Sequence, residues 1–467
     1  MSQAPVPANA AAAPEHSAGY KTRRFFNWFP LGLTYALLYM GRYNLTVSKT
    51  ALGDLMSKAD FGTIFGVGAW VYAIAFVING PLTDRMGGKK AMLVGAGGSA
   101  LANLSMALYL QSVLNSADPK AAPLKLVFSL LYGVNMYFQS FGAVAIVKVN
   151  QAWFHVRERG TFSGIFGIMI STGLWLAFDV NTRLLNHLKA GGAAGPDATR
   201  WVFLAPAILL GSFFVLELLL LRDRPSQAGF PDFDTGDGSA ASGDEAPPAF
   251  FDVLKKVLAH PVILTIAFVE FCTGVIRNGV MHWYPILAKE KMAAGLGGGW
   301  KYMSDNWGLI LMVAGVIGGM CAGMVSDKVF QSRRAPAAGF LYLASLCATL
   351  LMVPFLESGW ALGALVFVMS ICVIGTHGLL SGTATMDFGG RKAAGTAVGI
   401  IDGFVYLGTG VQSLALGYIT TEVGWRWWPV FLAPFSLVGF VLLRRIWDAK
   451  PGQKHAPAKA APEPAAA

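Results

Sequence analysis

Residues 80–90 read GPLTDRMGGKK, and residues 323–328 read GMVSDK. Each stretch lies at the end of a long apolar run, and each places an aspartate directly before a basic residue. A second pair also repeats, since GTFSG at 160–164 resembles GTAVG at 395–399. The chain is therefore predicted to contain two related halves. The aspartates and the basic residues that follow them are Asp84, Arg85, Asp327 and Lys328.

Long apolar runs make up most of the 467-residue chain. Hydrophobic residues are 54% of the sequence and charged residues only 13%, against about 25% charged residues in soluble domains. A run of about 20 apolar residues is long enough to cross a bilayer as a helix. We therefore predict an all-α membrane protein with twelve transmembrane helices in two pseudo-symmetric six-helix bundles. The predicted spans lie near residues 26–47, 62–82, 91–111, 124–147, 162–182, 201–221, 260–285, 306–326, 337–356, 361–384, 395–420 and 426–446.

Composition divides the chain into five segments. Residues 1–20 are rich in Ala and Pro and lack the apolar core of a signal peptide, so we expect a disordered tail. The first bundle is predicted over 21–221 and the second over 259–447. The segment between them, 222–258, is rich in Gly, Ser, Asp and Pro, which indicates a flexible cytoplasmic linker. Residues 448–467 are predicted to form a second disordered tail.

The net charge of +10 comes mainly from loops on one side of the predicted bundle. A nucleic-acid-binding protein carries its basic residues on a solvated face, whereas here they separate apolar spans. Basic loops are retained on the cytoplasmic side of a membrane, so both termini are predicted to be cytoplasmic and the protein to reside in the inner (plasma) membrane. We expect the lipid bilayer and a small anion as partners, no nucleic acid, and a monomer.

Residues that bind metals or cofactors are not arranged in familiar patterns. The four cysteines all fall in apolar runs, and the seven histidines show no metal-ligand spacing. A nucleotide-binding stretch of the GxxxxGK type is also missing from the sequence. We therefore expect no metal, no cofactor, no catalytic residues and no direct coupling to ATP.

Two arginines lie deep inside predicted spans, Arg42 in the first and Arg277 in the seventh. A mid-membrane arginine costs about 2.5–3.5 kcal/mol on insertion scales, so it usually has a function. Arg42 and Arg277 are separated by the same number of residues as Gly160 and Gly395, which places them at equivalent positions of the two halves. They are predicted to face one another across the interface between halves. An anion between them would relieve their repulsion, since a guanidinium binds phosphate or carboxylate oxygens with two parallel hydrogen bonds.

Carboxylates inside the spans offer a different interpretation of these arginines. Glu270 lies two helical turns before Arg277 on the same face, and Asp179 and Asp402 are further candidates. Each could neutralise an arginine and serve only the fold. The same three carboxylates are the candidate proton-coupling residues of a symporter.

Several longer motifs resemble known transporters. GPLTDRMGGKK at 80–90 resembles the loop signature of the major facilitator superfamily. RDRPSQAGFP at 222–231, WFHVRERGTFSG at 153–164, HWYPILAKE at 282–290 and RKAAGTAVG at 391–399 resemble segments of its organophosphate:phosphate antiporter family. That family includes the bacterial glycerol-3-phosphate and hexose-6-phosphate transporters. The resemblance implies the twelve-helix facilitator fold and exchange of an organic phosphate for inorganic phosphate.

The resemblance also implies roles for individual residues. The acidic and basic residues of the two loops would pair with neighbouring helix ends and hold one conformation, which makes them candidate gating residues. Tyr35 and Tyr39 lie on the same helical face as Arg42, where their hydroxyls can reach an oxyanion. The residues that match the family's substrate site are Arg42, Arg277, Tyr35, Tyr39, Gln139 and Tyr406.

The sequence departs from the glycerol-3-phosphate carriers at three site positions. Phe76 stands where they have a lysine, Ile170 where they have a histidine, and Gly274 where they have a tyrosine. A site with fewer polar groups and more apolar surface favours a different or bulkier organic portion. His377 lies outside the family pattern and is interpreted either as a packed histidine or as a new polar contact in the cavity.

Three functions remain compatible with these residues. The first is an antiporter of an anionic organic phosphate that works by alternating access. The second is a proton-coupled symporter of an organic anion such as a carboxylate. The third is a membrane sensor that binds an organophosphate without transporting it.

Overall fold

The structure, a computed structural model, consists of long helices arranged in two bundles. It describes residues 15–193, 195–235, 255, 259–331, 333–384 and 394–449. The twelve long helices are α1 (Ala18–Leu52), α2 (Lys58–Met86), α3 (Gly88–Leu114), α4 (Leu124–Trp153), α5 (Val156–Trp175), α6 (Trp201–Leu220), α7 (Pro261–Met281), α8 (Trp307–Lys328), α9 (Arg334–Met352), α10 (Gly359–His377), α11 (Ala394–Tyr418) and α12 (Trp427–Arg445).

Four of these helices continue beyond a local irregularity. α5 passes through a π-helical turn, Leu176–Val180, into Asn181–Ala190. α7 continues as Trp283–Ala293, and π-helical turns extend α10 over Gly378–Ala384 and α11 over Ile419–Val423. Such π-turns are frequent at functional sites. Shorter helices cover Gly53–Leu55, Pro119–Ala121, Gly195–Thr199, Pro225–Ala228 and Gly299–Asp305.

The predicted fold class is confirmed, since each predicted span corresponds to one long helix. Within the described ranges, ten helices are long and apolar enough to cross a membrane by length and composition. α1 and α5 complete the bundle. The outer surface of the bundles fits lipid, because many apolar side chains, such as Leu101 and Leu108 of α3 and Leu130 of α4, are largely exposed.

The start of α1 differs from the sequence prediction. The helix begins at Ala18, within the predicted tail of residues 1–20, because the Ser17 hydroxyl accepts a hydrogen bond from the amide of Tyr20 at 3.2 Å. The Tyr20 hydroxyl then donates to the carbonyl of Trp153 at 3.0 Å. Residues 1–14 and 450–467 lie outside the described part of the chain.

The first part of the predicted linker is ordered against the N-terminal bundle. The carbonyl of Arg222 accepts hydrogen bonds from the side chains of Asn27 (3.2 Å) and Trp153 (3.0 Å). The Phe230 and Phe233 rings contact the Tyr20 ring with centroids 5.6 and 6.0 Å away. A flexible linker over all of 222–258 is therefore wrong for residues 222–235, and most of the remainder lies outside the described residues.

The two halves meet where α2 packs on α11 and α5 packs on α8. Gly62 of α2 has no space for a side chain, because a Cβ there would overlap the carbonyl oxygen of Ser413. Within the second half, a Cβ on Gly274 of α7 would overlap the carbonyl oxygen of Val405 in α11. Glycine at these positions lets the backbones approach closely, as in other tightly packed membrane helices.

Candidate functional site

Arg42 lies at the centre of α1 and is fully buried. Its Nε donates to Oε1 of Gln139 at 2.8 Å, Nη1 donates to the hydroxyl of Tyr406 at 2.6 Å, and Nη2 donates to the hydroxyl of Tyr72 at 3.3 Å. Tyr406 belongs to α11, so one guanidinium joins the N-terminal bundle to the C-terminal bundle. Tyr72, which sequence reasoning did not single out, lies in an ordinary apolar run where no local pattern marks it.

Aromatic rings surround the same guanidinium. The Arg42 Cζ lies 4.8 Å from the ring centroid of Tyr39 and 4.6 Å from that of Tyr72. The rings of Tyr43 and Tyr406 are each 5.9 Å away. The negative faces of aromatic rings stabilise a desolvated cation. Neutral oxygens and aromatic rings therefore accommodate the Arg42 charge, and the structure records no ion pair between Arg42 and a described carboxylate.

A buried amide network fixes the position of Arg42. The Tyr132 hydroxyl donates to the Arg42 carbonyl at 2.9 Å, and the Asn135 amide donates to the carbonyl of Gly41 at 3.0 Å. The Gln139 amide donates to Oδ1 of Asn135 at 3.2 Å. This contact leaves Oε1 of Gln139 directed at Arg42, so α4 sets both the backbone and the side-chain position of the arginine.

Arg277 occupies a different environment in α7. It is partly exposed and lines a cavity of about 320 Å³ between the two halves. Its Nε is buried without a hydrogen-bond partner. An unsatisfied buried donor is costly, and a ligand that accepts its hydrogen bond removes that cost. The structure records no ion pair between Arg277 and a described carboxylate.

The cavity wall combines tyrosine rings and apolar side chains with a few charged groups of the C-terminal half. Phe76 and Ile170 line the cavity. They are two of the three positions at which the sequence is predicted to depart from the glycerol-3-phosphate carriers. The third, Gly274, has no space for the tyrosine found in the family. Site residues that line the cavity are Tyr35, Tyr39 and Tyr43 of the N-terminal half and Arg277, His377, Asp402 and Tyr406 of the C-terminal half.

The two arginines were predicted to face one cavity as equivalents, and the structure shows that they are not equivalent. Arg277 lines the cavity, whereas Arg42 is fully enclosed by Gln139 and tyrosines. The physical reason is the difference in neighbours. Tyr39 lies three residues before Arg42, but Gly274 occupies that position before Arg277, where α11 leaves no space for a ring.

Two of the candidate carboxylates lie near the cavity. Glu270 is fully buried, and its Oε2 lies 2.9 Å from Nδ1 of His377. Asp402 lines the cavity and accepts a hydrogen bond from the Ser381 hydroxyl. Neither pairs with an arginine, so the interpretation of Arg42 and Arg277 as partners of these carboxylates is not what the structure shows. His377 lines the cavity, so of its two interpretations the structure favours a polar contact in the cavity over a packed histidine.

Asp179, the third candidate carboxylate, has another environment. Its two carboxylate oxygens accept the backbone amides of Gly308 at 2.6 Å and Leu309 at 2.9 Å. These amides are at the N-terminus of α8, where an anion interacts favourably with unpaired N–H groups. The structure therefore places Asp179 as a cap that joins α5 to α8 rather than as a cavity residue.

Further contacts close the same end of the protein, opposite the chain termini. The Thr46 hydroxyl lies 2.7 Å from Nδ1 of His282, which links α1 to α7. Lys58 of α2 pairs with Glu290 at 3.2 Å, and Glu290 also accepts the indole N–H of Trp425 at 2.6 Å. The halves are thus in contact at this end through hydrogen bonds and one ion pair.

The predicted gating loops lie at the other end. Asp84 pairs with Lys148 of α4 at 2.7 Å, and Asp327 pairs with Arg334 of α9 at 2.6 Å. The two aspartates thus make comparable contacts with a neighbouring helix in each half. Arg85 and Lys328 are exposed. The geometry agrees with loops that stabilise a helix arrangement, and gating itself stays a prediction.

Twelve helices in two repeated bundles, with a cavity and intramembrane charge between them, define a secondary transporter class. The sequence model of the Major Facilitator Superfamily matches residues 31–412. The chain belongs to the Major Facilitator Superfamily, as the GPLTDRMGGKK loop predicted.

Relatives are similar over nearly the whole chain. The glycerol-3-phosphate transporter of Bacillus subtilis is 26% identical over 94% of this chain and 95% of its own. A probable hexose phosphate transport protein of Chlamydia pneumoniae is 23% identical over 92% of each chain. The membrane sensor protein UhpC of Salmonella typhimurium is 25% identical over 90% of this chain and 91% of its own. These relatives agree with the resemblance to the organophosphate:phosphate antiporters.

A solved structure has the same fold. A bacterial homolog of the human lysosomal transporter Spinster, in an inward-facing and occupied conformation, superposes with a TM-score of 0.66. The superposition covers 95% of this chain and 100% of the other at 14% sequence identity. At this sequence identity the likeness concerns the fold alone.

Proposed function

We propose that this protein is a secondary transporter that moves an anionic organic phosphate by alternating access, in exchange for inorganic phosphate. Arg277 carries this proposal, because it lines a cavity between the halves with a buried N–H that lacks a partner. A phosphoryl oxygen satisfies such a donor, and the guanidinium fork suits phosphate geometry. The names of the glycerol phosphate and hexose phosphate relatives support the same substrate class.

Arg42 has a complementary role in this proposal. It sets the electrostatic potential of the cavity from behind Tyr39 and is bonded to Tyr406 of the other half. Tyr406 also lines the cavity, so a substrate that contacts its hydroxyl alters the link between the halves. Binding and the relative position of the bundles are thereby coupled, as alternating access requires.

The organic portion of the substrate would lie against Phe76 and Ile170. These side chains replace polar residues of the glycerol-3-phosphate carriers, so the cavity favours an organic group with apolar surface over a small polyol. The excess of basic residues in the loops on one side supports cytoplasmic termini in a plasma membrane. The end closed by Asp179 and Glu290 is then the outer one, and the cavity serves the cytoplasmic side. One chain supplies the whole site, so we expect a monomer to be functional.

An exchange assay tests the proposal. Purified protein is reconstituted into liposomes loaded with unlabelled phosphate, and uptake of labelled phosphate and of sugar phosphates is measured. We expect exchange in the wild type and its loss in Arg277→Lys, with Lys58→Arg as a matched control at the closed end. Absence of phosphate exchange in a protein that remains folded would contradict the proposal.

A sensor is the second candidate, supported by the similarity to UhpC. Sensor and carrier would share the same binding residues, so binding alone does not separate them. Phosphate binding in detergent without any exchange in liposomes identifies a sensor. Binding together with exchange identifies a carrier.

A further inference from the structure

Two titratable side chains at the cavity have no part in the proposed binding of phosphate by Arg277. Glu270 of α7 and His377 of α10 contact each other, with Oε2 2.9 Å from Nδ1. The other carboxylate oxygen of Glu270, Oε1, is buried without a hydrogen-bond partner. A buried carboxylate in such a place is costly, and a proton held at a neighbouring group lowers that cost. His377 is the neighbouring group.

Glu270 and His377 differ in how much of each side chain is exposed. The Glu270 side chain is 0% exposed, whereas 27% of the His377 side chain is exposed. His377 also lines the cavity. A proton can therefore reach the pair from the cavity through the histidine, and the Glu270 carboxylate lies directly behind the ring.

The formal charges of four side chains at the cavity sum to zero. Arg42 and Arg277 are two cations, and Glu270 and Asp402 are two carboxylates. A bound phosphate adds negative charge that no group of the apo cavity balances. One proton on the Glu270–His377 pair supplies a positive charge next to the anion. This cavity has Phe76 and Ile170 where related carriers have basic residues.

Other titratable groups near the pair come from the helices packed against it. α8 packs on α10 through small residues, since a Cβ on Gly318 would approach the carbonyl oxygen of Ile371 at 2.5 Å. Asp402 interacts electrostatically with both members of the pair and with Arg277. The titratable or charged groups that face the pair are Arg277 and Cys272 of α7, Tyr342 of α9, and Asp402 and Tyr406 of α11.

We propose that Glu270 and His377 form a proton-binding pair, and that the cavity takes up one proton with each phosphate it binds. The proton comes from water in the cavity, is held between His377 and Glu270, and is released when the phosphate leaves. This inference deepens the proposed function and rests on it in one respect, that phosphate binds at Arg277. It makes the phosphate affinity of the cavity depend on pH.

Proton uptake can be counted by isothermal titration calorimetry. Inorganic phosphate is titrated into the full-length protein in detergent at pH 7.5, in two buffers of different ionisation enthalpy. The apparent enthalpies give the number of protons bound per phosphate. Because phosphate itself titrates near this pH, the informative quantity is the difference between the wild type and His377→Gln. We expect that difference to be about one proton.

Three further variants keep the test decisive if His377→Gln unfolds. Glu270→Gln retains the shape of the side chain but removes the carboxylate that holds the proton together with His377, so proton uptake should fall. Asp402→Asn tests whether this neighbouring carboxylate holds the proton instead of the pair. His187→Gln changes an exposed histidine outside the cavity and serves as the matched control.

The outcomes separate the two proposals. Equal proton uptake in the wild type, His377→Gln and Glu270→Gln, with phosphate still bound, overturns the proton-binding pair and leaves the proposed function standing. Loss of uptake in Asp402→Asn alone assigns the proton to Asp402 and also overturns the pair. A folded wild type that does not bind phosphate overturns both.

Discussion

The two intramembrane arginines lie at matching positions of the repeat, yet their surroundings differ. Arg42 is enclosed, and all three of its guanidinium nitrogens donate to side-chain oxygens of Gln139, Tyr406 and Tyr72. Arg277 borders the cavity and keeps a donor without a partner. A repeated sequence thus supplies the same charge twice, while the neighbouring residues decide whether it organises the protein or remains available to a ligand.

The largest expected effect is on phosphate binding when Arg277 is changed. Arg277→Lys keeps the charge but removes the fork of donors, so it loses about two charge-assisted hydrogen bonds, or about 3 kcal/mol. Phosphate affinity should fall on the order of 100-fold, measured by titration calorimetry, while the melting temperature of the unliganded protein stays near that of the wild type. Unchanged affinity would make Arg277 a structural residue and remove the contrast with Arg42.

The next effect concerns the stability of the unliganded protein. Arg42→Met leaves the oxygens of Gln139, Tyr406 and Tyr72 without their donor in a buried place, and each unsatisfied group costs about 1–3 kcal/mol. The melting temperature should therefore drop clearly in Arg42→Met. Arg277→Met is the matched variant, and it should leave the melting temperature unchanged or raise it. Equal losses in the two variants would show that the arginines have equivalent roles.

The smallest effect tests the bond between the halves. Tyr406→Phe removes the hydroxyl that accepts from Arg42 at 2.6 Å but keeps the ring. A loss of about 1 kcal/mol, or roughly fivefold in phosphate exchange rate, is expected. Tyr72→Phe, whose hydroxyl is 3.3 Å from the same guanidinium within one half, should lose less. A larger loss in Tyr72→Phe would place the important contact inside the N-terminal bundle.

Sequence reasoning found the repeats, the helices and the two arginines, because long apolar runs and mid-span charges are visible without a fold. Only some of the neighbours of Arg42 could be predicted from the sequence. Gln139 and Tyr406 came from the family resemblance, whereas Tyr72 lies on α2 and reaches Arg42 only through tertiary packing. A single tyrosine in an apolar run has no feature that distinguishes it from a packing residue.

The environments of the three carboxylates could not be predicted from the sequence. Glu270, Asp179 and Asp402 are equally polar interruptions of apolar spans in the sequence. In the structure, Asp179 caps α8, whereas Glu270 is joined to His377 and Asp402 lines the cavity. These differences depend on which helix faces which, and that information is distributed over residues far apart in the chain.

The contact between Gly274 and the backbone of Val405 has a consequence for the diversification of this carrier. Any larger residue at Gly274 would have to separate α7 from α11 before it could add a group to the substrate cavity. We therefore expect selection for a new substrate, in nature or in the laboratory, to act at other positions of the cavity. Phe76 and Ile170 line the cavity outside this contact, so we expect single substitutions there to change what the protein accepts while the α7–α11 contact is preserved.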